Sequence, residues 1–143
     1  MSAYDDLIAS ADELYRAGDF KEAHITYGRG QSLGWVRNHY CRHMRGICSR
    51  RVAEERIAKA LAEPDFRKDF LEQAARWLAK SEANLSSAFD ESPEADRGNI
   101  RLEQALTEEV IARFMELSGG NPSRRLSVAR DFREQGFKML ARV

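Results

Sequence analysis

The stretch Leu14-Tyr15-Arg16-Ala17-Gly18-Asp19-Phe20-Lys21-Glu22-Ala23 decides how this chain is read. Upstream of it, Leu7, Ile8, Ala11, Leu14 and Tyr15 recur at the spacing that gathers side chains on one helical face. Gly18 supplies the permissive backbone on which helices commonly end. Asp19 supplies a side-chain oxygen able to cap the helix that follows. Downstream, Phe20, Ala23, Tyr27 and Gly30 make a second inner face. The expectation is a helix over about 3–16, a tight turn, and a second helix to about 32. A connection this short favours antiparallel neighbours, so the two helices should form a hairpin.

The same periodicity continues outward. A third helix is expected over about 35–62, with Tyr40, Met44, Ile47 and Cys48 as its apolar stripe, extended by Val52 and Leu61. Asn38, Arg42, Arg45, Ser49 and Arg56 fall roughly opposite. Pro64 breaks the pattern, because its ring and missing N–H disfavour a continuous helix. A fourth helix to about 88 carries Phe66, Phe70, Ala74, Trp77, Leu78, Ser81 and Leu85 on one face. Ser92-Pro93 reads as a capping hydroxyl followed by a first-turn proline. The fifth helix, to about 117, should bury Leu102, Leu106, Val110, Ile111, Phe114 and Leu117. Gly119-Gly120 stops it, and Asn121-Pro122 starts a sixth helix with Ala129, Phe132, Gly136, Leu140 and Val143 inside. No segment alternates as a strand would. The expected fold is all-α: about six antiparallel helices as three hairpins, the later ones elongated, in a single domain over 1–143.

Composition agrees with that class. The chain is 43% hydrophobic and 32% charged with only 3 prolines, a folded and helix-rich profile. No run approaches the ~18 apolar residues of a membrane span, and the first residues lack an apolar leader. No membrane partner and a cytoplasmic location are therefore expected. Cys41 and Cys48, seven apart on one helix, would lie about 10 Å apart, too far for a disulfide. Free thiols are expected.

Charge is balanced overall, with 23 basic and 23 acidic residues, but it is segregated. Residues 35–62 carry 7 basic and 2 acidic groups, and 121–143 carry 6 and 2. Residues 63–120 carry 7 basic and 13 acidic groups. Two readings follow. Neighbouring helices complement one another inside the fold, or the basic helices present a surface to an anionic partner.

The residues of the opening hairpin resemble a tetratricopeptide repeat. Ala11 and Ala23 look like its small crossing residues, and Gly18, Asp19 and Phe20 like its turn. Tyr27 looks like the aromatic packed on its second helix, and Gly30 like the small residue near its end. Trp35 stands where the family often has proline. The resemblance covers about residues 4–34, and the later hairpins lack the Gly-Asp-aromatic signature and the sustained repeat period. It implies a binding groove made by the first helix of each hairpin. By that analogy Asp12, Tyr15 and Arg16 face the groove, joined from the third helix by Arg42, His43, Arg45 and Arg50.

Catalytic material is sparse. His39 and His43, four apart, share a helical face, but no third metal ligand accompanies them and the surrounding helix is basic, so no metal is expected. Glu54-Glu55 and Glu108-Glu109 are adjacent, and adjacent helical residues diverge by about 100°. No phosphate-binding loop or serine-nucleophile motif occurs. One stretch, Arg37-Asn38-His39-Tyr40-Cys41-Arg42-His43, resembles the arginine–asparagine…histidine motif of the HEPN ribonucleases. That resemblance implies phosphate stabilisation by Arg37 and proton transfer by His43.

The preferred expectation is a non-catalytic, tetratricopeptide-like adaptor without cofactors. It binds a partner protein or an acidic segment through a helical groove bearing the arginine-rich third helix. The alternatives are a HEPN-like ribonuclease and a non-catalytic RNA- or DNA-binding protein. The latter ranks below an acidic protein segment because the basic stretches lack interleaved aromatics for base stacking. Self-association through an uncapped apolar end, with Met139, Leu140 and Val143, is a second mode of assembly.

Overall fold

The computed structural model describes residues 2–33 and 38–142. The expectations attached to Trp35, Arg37 and Val143 lie outside these residues. The described chain is all-α, without a strand: α1 (Ala3–Arg16), α2 (Phe20–Leu33), α3 (Asn38–Ala62), a 3-10 turn (Pro64–Phe66), α4 (Arg67–Glu91), α5 (Glu94–Leu117) and α6 (Ser123–Ala141). Among the described residues, no helix is long and apolar enough to cross a membrane.

The helix ends follow from local chemistry. Ser2 caps α1, its hydroxyl oxygen accepting from Asp5 N–H at 3.1 Å. At the other end Gly18 takes φ +82°, in the left-handed region where a Cβ is penalised. There the Gly18 and Asp19 N–H groups donate to the Tyr15 and Leu14 carbonyls at 3.0 and 2.9 Å. This is the Schellman arrangement that satisfies a helix's last acceptors. The same pattern closes α5, with Gly119 at φ +84° and Gly120 N–H donating to Met115 O at 2.7 Å. Two starts depart from expectation. The Ser92 hydroxyl is buried without a partner instead of capping α5, because Ser92 N–H still belongs to α4 through Ala88 O. At α6 the Asn121 side chain accepts from Ser123 N–H at 3.0 Å, an Asx turn that leaves Pro122 just outside the helix.

α3 is the central element. Against α1 and α2 it closes a cluster of Ile8, Ala11, Ala23, Tyr27, Cys41 and Cys48. Against α4 and α5 it closes a second, with Ala53, Ile57, Ala74, Leu78 and Ile111. Along the α3–α4 contact, Arg42 meets Glu91, Gly46 meets Ser81 and Leu85, and Ala53 and Ile57 meet Ala74 and Leu78. The partner numbers fall as those of α3 rise, so the two helices run in opposite directions there. Gly46 permits the approach: a Cβ at that position would stand 2.5 Å from Leu85 Cγ. Ser81 Oγ donates to Gly46 O at 2.8 Å and lies 3.0 Å from Thr107 Oγ1, so one buried polar knot joins α3, α4 and α5.

Burial on two sides explains where the expected faces were too simple. Ser49, expected on the outer face of the third helix, is fully buried, and Arg50 is buried too. Leu61, Phe66 and Leu106, expected inside, are exposed. Leu61 and Phe66 flank the break at Pro64 and are left exposed there. Cys41 and Cys48 are buried thiols outside any disulfide, and burial pushes the Cys48 thiol up to about 12.

Candidate anion-binding groove

Several arginines of the two basic segments are matched inside the fold. Arg42 pairs with Glu91. Arg50 donates to Glu54 and Glu103, each at 2.8 Å. Arg125 lies between Glu82 at 2.8 Å and Glu108 at 3.0 Å, and Arg133 pairs with Glu109. Except for Glu54, these carboxylates belong to the acidic stretch 63–120. Arg51 lies 4.6 Å over the Phe20 ring. Segregated charge therefore serves, in large part, to join helices.

One basic region is not matched. Lys21, His24, Ile25, Gly28, Arg29 and Ser32 of α2, Arg45 of α3, and Trp77 and Lys80 of α4 line an open groove of about 610 Å³. Four cations from three helices line it, and no carboxylate does. Among the described residues, none of these four cations makes an ion pair.

Each wall has a local origin. On α2, positions 21, 24, 25, 28 and 32 recur at helical spacing and share a face. Gly28 brings that face close to α3: a Cβ there would sit 3.4 Å from the Arg45 guanidinium carbon. Arg45 spends one terminal nitrogen on a neutral partner, Gln31 Oε1, at 3.0 Å, and its buried Nε has no partner among the described residues. His24 is only 5% exposed, and its Nε2 has no partner among the described residues. The imidazole stands edge-on to Trp77, with centroids 5.2 Å apart at 83°. Lys80 Nζ lies 4.8 Å from the Trp77 ring centroid. Burial first, then the charges of Arg45 and Lys80, push the His24 pKa down to about 4. The imidazole is therefore neutral near pH 7, with one N–H to donate.

The residues singled out from sequence are dispersed. Asp12 accepts from the hydroxyls of Tyr27 and, at 2.7 Å, Tyr40, which ties α1 to α2 and α3. Tyr15 packs on Phe20 at 5.7 Å, edge to face, and Arg16 is exposed at the end of α1. His43 lies toward α5, where burial lowers its pKa against the opposing pull of Glu103 and Asp96. Its neighbour His39 places Nε2 3.8 Å from Asp96 Oδ2. Among the described residues, no group of three or more histidine, cysteine or acidic side chains is arranged to hold a metal. Arg42 and Arg50 are engaged as described above, and Arg45 alone of the seven lines the basic groove. Lys21, His24, Arg29, Trp77 and Lys80 were not singled out from sequence. The spacing of 21, 24, 28 and 32 was readable there. Its apposition to Trp77 and Lys80, some fifty residues away, was not. No family model, curated protein or solved structure matches the chain.

Proposed function

We propose that this protein is a non-catalytic, tetratricopeptide-like binding module that holds an acidic segment of a partner protein in the groove between α2, α3 and α4. The observation that carries the reading is the set of Lys21, Arg29, Arg45 and Lys80 around one groove without a carboxylate. Arg42, Arg50, Arg125 and Arg133 are offset by the chain's own glutamates; in this groove, where four cations gather without a carboxylate, the counter-charge comes from outside. Like charges held together on a low-dielectric surface attract an oppositely charged partner and speed its encounter. The tetratricopeptide likeness rests on α1 and α2, where Ala11, Ala23 and Tyr27 are fully buried and Gly18 makes the turn.

A protein segment is favoured over nucleic acid. Single-strand binders stack successive bases on several aromatic rings. Trp77 is the one aromatic ring besides His24 in this lining, and Lys80 lies over it. Ribonuclease chemistry is not favoured either, because the carboxylates of Glu103 and Asp96 face His43 and oppose a phosphate there.

The test is titration of a fluorescein-labelled peptide of alternating aspartate and glutamate by anisotropy. Saturable binding is expected, weakening as salt screens the charges. Lys80→Gln and Arg29→Gln should each lower affinity about tenfold, the equivalent of about 1.4 kcal/mol. Arg130→Gln, on the exposed face of α6, should leave it unchanged. Affinity insensitive to Lys80 and Arg29 would sink the assignment.

A further inference from the structure

We propose that the anionic group received in this groove is the phosphoryl group of a phosphoserine or phosphothreonine in the partner segment, seated against Arg45, Lys80 and His24; this rests on the acidic-segment reading above.

Three observations favour a phosphoryl group over side-chain carboxylates. The first is the distribution of charge. The cations come from three helices and surround one groove instead of following a single helix. A chain of aspartates or glutamates spreads single charges along its length, whereas a phosphoryl group concentrates about −1.5 to −2 in one tetrahedron.

The second is the state of Arg45. With one terminal nitrogen on Gln31 and Nε without a partner, the Nε edge of the guanidinium keeps its donors for an incoming group. That edge matches two oxygens of one oxoanion, the paired geometry in which arginine exceeds lysine. A buried donor left unpaired is costly, and an oxygen there removes the cost.

The third is His24, which lines the same groove with an unpartnered Nε2 while 5% exposed. A carboxylate bound by the arginine fork has both oxygens in the plane of that fork. A phosphoryl group has a third for the imidazole N–H. Trp77 and the Lys80 side chain stand beside the imidazole, and the contact requires them to shift.

The experiment passes peptide libraries over the immobilised full chain. One library has a fixed phosphoserine between random flanks, and the others carry glutamate or serine at that position. Retention of the phosphoserine library at least tenfold above the glutamate library is expected. Arg45→Gln and Lys80→Gln should each reduce it about tenfold, with folding checked by circular dichroism. Lys80 is exposed and keeps the test valid if the Arg45 variant unfolds. Equal retention of the phosphoserine and glutamate libraries, both dependent on Lys80, overturns the phosphoryl assignment and leaves the acidic-segment reading standing. Retention of neither overturns both. Phosphoserine retention that survives both substitutions lies elsewhere on the protein and also overturns the proposal. So does inorganic phosphate competing mole for mole with the retained peptides, which would assign the groove to the free ion.

Discussion

Gly98 of α5 and Gly136 of α6 face each other at the point where the two helices cross. A Cβ on Gly98 would stand 3.1 Å from the Gly136 carbonyl oxygen, and one on Gly136 would stand 3.0 Å from the Gly98 carbonyl oxygen. Leu140 and Leu102 close the space on either side, 2.9 and 2.8 Å from those Cβ positions at their nearest atoms. Two backbones thus touch where side chains normally keep helices 8–10 Å apart, and α6 is seated by this reciprocal fit.

Gly136→Ala should therefore destabilise the protein although alanine is the better helix former. The helical gain is about 1 kcal/mol, and overpacking against backbone costs about 1–3 kcal/mol. A net loss of up to about 2 kcal/mol is expected in urea denaturation. The same substitution at Gly28, where the nearest atoms are 3.4–3.5 Å away, should be near neutral or stabilising.

Arg125 fastens α6 to α4 and α5 through Glu82 and Glu108. Burial raises the Glu108 carboxyl pKa, and the arginine holds it back. Arg125→Ala leaves two neighbouring carboxylates, one of them buried, without their cation. Because Arg125 and Glu82 are partly exposed, a loss of about 1–3 kcal/mol is expected, arising mainly from the buried Glu108. Glu108→Gln in the same chain should restore part of it, and a double-mutant cycle measures how much.

His24 predicts a pH dependence of stability. In the unfolded chain it titrates near 6.5, and in the folded chain near 4. Between these values the unfolded state holds more protons, so stability rises with pH. The contribution is complete above about pH 7, is lost as pH falls from 6.5 to 4, and is constant below. The full span amounts to about 3 kcal/mol. His24→Gln should flatten this part of the denaturation profile relative to the unaltered protein. An anion bound in the groove offsets Arg45 and Lys80, so it should also raise the His24 pKa in an NMR titration.

Asp12 separates a structural role from a partner-binding one. As acceptor for Tyr27 and Tyr40 it holds two hydroxyls, one on a fully buried ring. Asp12→Ala should cost about 1–3 kcal/mol in stability while leaving binding of the acidic peptide unchanged. Weakened peptide binding by a variant that still folds would place the partner on α1 instead.

Much of the helical framework was legible without coordinates because it depends on neighbours within four or five positions. Gly18 and Gly119 announced their helix ends by the backbone that only glycine adopts cheaply. Pro64 announced the break, and Ala11, Ala23 and Tyr27 announced the inner faces of α1 and α2. Ser92 misled because its hydroxyl's fate depended on what covered it and not on the proline beside it. The face of α3 misled more. A helix clasped on several sides has no single outer face, so periodicity alone put Ser49 outside and Leu61 inside.

The class of the fold thus belongs to the sequence, since hydrophobic period, glycine conformation and proline geometry act locally. The site belongs to the tertiary structure. Arginines at 42, 50, 125 and 133 look no different along the chain from the one at 45. Only the packing of α4, α5 and α6 brings Glu91, Glu103, Glu108 and Glu109 against the first four and leaves Arg45 with Lys21, Arg29 and Lys80 around a groove without acid. The physical reason is that Coulomb interaction depends on distance through space and on the medium between charges, and for helices fifty residues apart neither is set before they pack.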